Sequence, residues 1–280
     1  MHFFQHKNCI HPYIYPYQKQ TIQPTTLPAP APDRGFPMDV HDTKEVELFG
    51  GAMRCRVPRV LQNVSDFRQV PDHQEVLHDL STGATLIVEL LARQREVRDD
   101  EAARFFYYDL AKANGCTPEG VRLETLAVLP PSAYAALTGL PLLNPSMTLD
   151  SPHCPVTTPA VAVTPVATGD GGGHRGTTGP GGQGCAYACL ATGIQKISKF
   201  TNEAGRENDV FVGLAVLRFR PPVAAEVLVS LSCPVVLHPD SSDAAVVKRL
   251  LRPEERDGVI RRALQTLEVQ DWGLFVPEEE

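Results

Sequence analysis

The stretch Glu226-Val-Leu-Val-Ser-Leu-Ser-Cys-Pro-Val-Val-Leu237 decides the fold class. Val227, Val229, Leu231 and Cys233 alternate with Leu228, Ser230 and Ser232, a period of two that belongs to a strand with one face better buried than the other. Residues 185–200, 210–219 and 121–129 read as further strands. Nearer the N-terminus, 46–49 and 52–57 form a strand pair turning at Gly50-Gly51, a dipeptide that supplies positive φ at little cost. Residues 74–80 and 85–91 form a second hairpin around Ser81-Thr-Gly83. A helix capped by Asp99 or Asp100 presents Ala102, Phe105, Phe106, Leu110 and Ala113 as its apolar face and stops at Asn114-Gly115. Pro253, Glu254 and Glu255 open a last helix through about residue 267, and 269–275 close the fold. Strands in series, short connections and few helices predict an α+β sandwich on a mainly antiparallel sheet.

With 280 residues and 42% hydrophobic content, the chain can bury one substantial core. Residues 1–43 contain Pro12, Pro16, Pro24, Pro28, Pro30, Pro32 and Pro37 with no apolar period, and read as a disordered extension. Acidic residues are absent from it before Asp33, as in an organelle transit peptide, but so are serine and arginine over the same span. Residues 131–184 read as a low-complexity loop insertion, carrying only Asp150, Asp170 and Arg175 as charges before a glycine-rich end. A single domain over 44–276, interrupted by that insertion and followed by an acidic tail at 277–280, is the expected organisation.

The formal net charge of −7 offers no electrostatic footprint for nucleic acid, so a charged partner should be basic. Seven cysteines without a Cys-x-x-Cys pair fit a reducing compartment, and no apolar run is long enough for membrane insertion. Gly169–Gly184 lacks the Gly-Lys-Ser/Thr ending of a phosphate loop. Cys185 and Cys189, at strand spacing, should put both thiols on one face with no second pair near them, which reads as two buried thiols rather than a metal site. No catalytic constellation, metal site or cofactor site follows from the residues.

The segment Val64-Ser-Asp-Phe-Arg-Gln-Val-Pro-Asp-His-Gln-Glu-Val76 is too polar and too short to form a core of its own and reads as a recognition surface. Its polar side chains should face solvent, with Pro71 stiffening the loop and Phe67, Val70 and Val76 anchoring it. Together with Lys44-Glu-Val-Glu-Leu-Phe-Gly-Gly-Ala52 and Thr85-Leu-Ile-Val-Glu-Leu-Leu91, in this order, it resembles the Ran guanine nucleotide release factor (Mog-type Ran-binding) family. The similarity covers about 44–130 and 185–276. The resemblance implies a three-layer α/β/α sandwich around a six-stranded, mainly antiparallel sheet, a fold shared with PsbP proteins. It implies a monomer in nucleus and cytoplasm that binds the small GTPase Ran, promotes guanine nucleotide release and supports nuclear import, with no catalysis of its own. Carried over to this chain, the partner-binding residues are Asp66, Arg68, Asp72, Gln74, Glu75 and Glu89. The alternative is a PsbP-like organelle protein, in which residues 1–43 would hold a transit peptide.

Overall fold

The computed structural model describes residues 42–65, 67, 69–137, 184–198, 205–221 and 223–275. Among the described residues, ten strands and two α-helices follow in chain order. They are β1 (Thr43–Leu48), β2 (Met53–Pro58), β3 (Gln62–Asn63), β4 (Gln74–Asp79), β5 (Ala84–Ala92), α1 (Ala102–Ala113), β6 (Val121–Val128), β7 (Cys185–Ile197), β8 (Asn208–Phe219), β9 (Ala225–Val236), α2 (Pro253–Thr266) and β10 (Glu268–Val269). The main sheet has the order β3-β4-β5-β9-β8-β7-β6, and β1-β2-β10 form a second, smaller sheet. Every pairing is antiparallel. The main sheet has seven strands rather than the expected six, because the two-residue β3 adds beside β4.

Local chemistry sets the hairpins. At the β1–β2 turn three consecutive residues, Phe49, Gly50 and Gly51, take positive φ values of 53°, 66° and 91°. The glycines do so freely, whereas Phe49 is strained and must be held there. At the β4–β5 turn the Asp79 carboxylate accepts from the Ser81 amide at 3.0 Å, the Ser81 hydroxyl at 2.9 Å and the Thr82 hydroxyl at 2.7 Å. That is an Asx-type turn, local in origin and legible from Asp-Leu-Ser-Thr-Gly.

The layering is α1, main sheet, then α2 with the small sheet. Val227, Val229, Leu231 and Cys233 of β9 enter the larger core under α2 and β2, while Leu228 enters the smaller core under α1. Both faces of β9 are therefore buried, where the alternation predicted one favoured face. Its serines are covered as well, Ser230 and Ser232 being nearly inaccessible. On α1 the buried stripe is Ala103, Phe106, Tyr107, Leu110 and Ala111, with Ala102. Phe105, assigned to that face from sequence, is 39% exposed, and Tyr107 takes its place two residues along. Cys185 and Cys189 lie in opposite cores, because a register shift between Cys185 and Tyr187 flips the strand's alternation. Burial pushes these thiols up, to about 12 and about 11.

Residues 131–137, read from sequence as the start of the insertion, form a kinked 3₁₀ segment whose Tyr134 and Leu137 are buried in the larger core. The apolar spacing within Ala133-Tyr-Ala-Ala-Leu137 holds it there. Residues 138–183 of the insertion, residues 1–41 of the extension and the acidic tail lie outside the described residues.

One buried charge cluster joins the layers. Arg218 of β8 has no solvent exposure, and its guanidinium donates to Glu226 of β9 at 2.7 Å, to Asp99 at 2.6 Å and to the carbonyls of Gln94 and Val97 at 2.7 and 2.8 Å. Asp99 also accepts from Arg93 at 2.8 Å. Its carboxylate is thus committed to arginines, and no side-chain cap forms at the start of α1, contrary to the sequence expectation. Burial pushes the Glu226 carboxyl up, and Arg218 opposes that shift.

Where α1 crosses β7, Gly193 leaves no room for a side chain. A Cβ there would lie 2.1 Å from the Arg122 carbonyl oxygen and 2.4 Å from the Tyr107 hydroxyl, which itself donates to that carbonyl at 3.2 Å. Gly193→Ala should therefore cost about 1–3 kcal/mol by overpacking, lowering the thermal midpoint by roughly 2–10 °C. Gly213→Ala, whose Cβ would meet side chains alone, the movable end of Ile260 at 2.5 Å and the Phe211 ring edge at 3.2 Å, should cost less in the same calorimetric comparison.

Candidate partner-binding site

The recognition segment runs between β3 and β4, and backbone bonds fasten it at several points. The Val64 amide donates to the Val76 carbonyl at 2.8 Å, Phe67 donates back to Val64 at 2.9 Å, and Gln74 donates to Pro71 at 2.9 Å. The last of these closes a tight turn with Pro71 at its first position and Asp72 and His73 at its centre. Val64, Val70, Val76 and Ile87 form a small apolar cluster beneath the loop. Phe67, expected to join them, is 82% exposed, because the turn from Val64 to Phe67 gives the inward position to Val64.

The polar residues separate by depth. Asp72 is exposed at the turn. Glu75 is half-buried, and its carboxylate accepts from the Phe49 amide at 2.6 Å and from the Asn63 side-chain amide at 3.5 Å. Gln74 and Glu89 are buried neighbours across the β4–β5 ladder, and the Gln74 amide donates to Glu89 at 2.9 Å. His73 lies 3.5 Å from the same carboxylate oxygen. The expectation that these groups face solvent is therefore corrected for Gln74 and Glu89, and for half of Glu75. A strand alternates its side chains, so Gln74 on β4 and Glu89 on β5 both turn toward the face that α1 covers. Asp66 and Arg68 lie outside the described residues.

Sequence reasoning missed three participants. Phe49 belongs to the site through its backbone, since the Glu75 carboxylate holds the positive-φ turn of the β1–β2 hairpin. His73 adds a potential cation beside Glu89. Asp109 of α1 has its carboxyl pushed up, by burial first, with Lys112 opposing and Glu89 adding to the shift. Phe49 and Asp109 have no local sequence signal, because they meet the segment only through the fold, whereas His73 lies within the segment and only its approach to Glu89 depends on the fold. Among the described residues there is no cluster of three or more His, Cys, Asp or Glu side chains arranged to hold a metal ion.

The family profile described as Ran-interacting Mog1 protein matches residues 46–234, from β1 through most of β9 and including the whole recognition segment. The chain belongs to this family. It is 27% identical over 229 residues to the Ran guanine nucleotide release factor of Danio rerio, a match spanning 81% of this chain and 97% of that one. It is 37% identical over 87 residues to the nuclear import protein MOG1 of Saccharomyces cerevisiae, covering 27% of this chain and 40% of that protein. The crystal structure of the S. cerevisiae Ran-binding protein Mog1p aligns over 84% of this chain and 98% of its own with a TM-score of 0.48 at 20% identity.

Truncating Glu75 to alanine should destabilise the fold, since it strands the Phe49 amide and releases a strained turn. A loss of about 1–2 kcal/mol is expected from one unsatisfied part-buried donor. Glu75→Gln, which keeps an acceptor oxygen, should lose less than half as much. Asp72→Ala should stay within about 0.5 kcal/mol of the parent, as for other exposed sites. Urea midpoints of the three variants at constant m-value check the order.

Proposed function

We propose that this protein binds the small GTPase Ran through the β3–β4 loop, promotes release of its guanine nucleotide, and thereby supports nuclear import from a pool shared between nucleus and cytoplasm. Membership in the Ran-interacting family and the names of the two relatives support the partner and the process. The observation that carries the site assignment is the exposed Asp72 at the tip of a loop pinned to the sheet on both sides. An exposed carboxylate on a rigid loop meets a lysine or arginine through a charge-assisted hydrogen bond and loses little entropy in doing so. The net charge of −7 favours encounter with a basic surface.

The residues proposed to face Ran are Asp66, Arg68 and Asp72, while Gln74, Glu75 and Glu89 act behind them by holding the loop. The protein acts as a non-catalytic regulator. It works by binding one state of the GTPase more tightly than another, which shifts the nucleotide equilibrium by that difference in affinity.

The test is release of a fluorescent guanine nucleotide from preloaded Ran with and without this protein, alongside direct titration. Wild-type protein should accelerate release and bind less tightly as salt rises. Asp72→Lys should bind roughly 10-fold or more weakly, because it replaces attraction with like-charge repulsion, while its thermal midpoint is unchanged. Equal binding by a folded Asp72→Lys variant would overturn the assignment of this loop.

A further inference from the structure

We infer that Phe67 is the apolar anchor of this interface, entering a partner pocket that is apolar at its floor and basic at its rim. The inference rests on the Ran-binding reading and adds to it the chemistry of the contact. At 82% exposure, Phe67 exceeds every other large apolar side chain among the described residues, including Leu80 at 66% and Val128 at 65%. An exposed apolar residue is ordinary when it stands alone. What distinguishes Phe67 is the number of bonds that fix the turn displaying it. Asn63 Oδ1 accepts from both the amide and hydroxyl of Ser65, at 2.9 and 2.7 Å, and the Phe67 amide donates to the Val64 carbonyl. Val64 and Val70, before and after it, are packed against Val76 and Ile87. Asn63 in turn donates to Glu75, which holds the neighbouring hairpin.

Ser65 and the Phe67 amide are thus bonded to Asn63 and Val64 before any partner arrives. A phenyl ring has two torsions to order, so it buries a large apolar area for a small entropic loss. Five residues on, in the same connection, stands the exposed Asp72. An aromatic anchor beside a rim charge is the arrangement in which the ring governs the lifetime of a complex and the charge governs its rate of formation. The matching surface on the partner is therefore a hydrophobic depression flanked by lysine or arginine.

Stopped-flow association and dissociation of Ran with four full-length proteins test this: wild type, Phe67→Ala, Asp72→Asn and Leu80→Ala. Phe67→Ala should weaken binding roughly 10- to 100-fold, mainly through faster dissociation, as truncation of an interface hot spot does. Its thermal midpoint should be unchanged, and Phe67→Leu should recover part of the loss. Asp72→Asn should slow association and flatten its salt dependence. Leu80→Ala, at the far end of β4, should match wild type. A folded Phe67→Ala protein that binds Ran as tightly as wild type overturns the inference and leaves the Ran reading intact. Failure of wild-type protein to bind Ran overturns both. Sedimentation supplies a further check: a wild-type dimer that Phe67→Ala dissolves, with affinity for Ran unaltered, would assign the ring to a second copy of this chain and overturn the inference.

Discussion

The fold hangs on the Arg218 guanidinium. A charge with no solvent exposure, placed between two central strands, is tolerated only if its donors are nearly all used, and here two carboxylates and two backbone carbonyls use them. Those acceptors come from four places: β9, the exit of β5, the loop beyond it and the first turn leading into α1. The same ion therefore sets the β8–β9 register, the path of the chain after β5 and the point at which α1 begins. Replacing such a cluster with apolar groups of the same shape can be neutral, but removing one member leaves its partner uncompensated. Its structural value lies in specificity of arrangement more than in net stabilisation.

A similar economy governs the recognition loop. Three acidic side chains that look alike in sequence have different jobs: Asp72 meets solvent, Glu75 fastens the β1–β2 turn, and Glu89 is enclosed with Gln74 and His73. The bond from the Phe49 amide to Glu75 explains why a Leu-Phe-Gly-Gly turn and a Pro-Asp-x-Gln-Glu segment belong together. One requires a strained residue, and the other supplies the acceptor that holds it.

Much of this was legible in the chain. The hairpins at Gly50-Gly51 and Ser81-Thr-Gly83, the two helices and the strands of the β6–β9 meander were expected close to where they occur, because turn chemistry and periodicity act locally. What escaped depended on contacts between distant residues. The alternation in β9 could not tell that both its faces would be covered, since the serines mimic a wet face. The spacing of Cys185 and Cys189 could not reveal the bulge that separates them. Asp99 is well suited to a helix cap, but Arg93, just past β5, and Arg218 of β8 compete for it. In the site, residue type was readable and depth was not: acidity identified the loop, while the assignment of Phe67 inward and Glu89 outward failed on the geometry of one turn and one strand face.

The last strand has a bearing on how the protein is made. β10 pairs Val269 with Met53, so the small sheet joins the start of the domain to its end. Until residues 268–275 emerge from the ribosome, β2 keeps a bare edge. Phe219 over the same interval lacks Trp272 and Phe275, whose rings pack against it, edge-on and tilted respectively, at 6.0 and 5.3 Å between centroids. The main sheet can assemble on the nascent chain once β9 has been synthesised, but one side of its core stays uncovered during translation of the final helix. Domains generally complete as units and exposed apolar surface invites association, so this family member has a window of vulnerability that lasts until residues 268–275 are free to pair with β2 and cover Phe219.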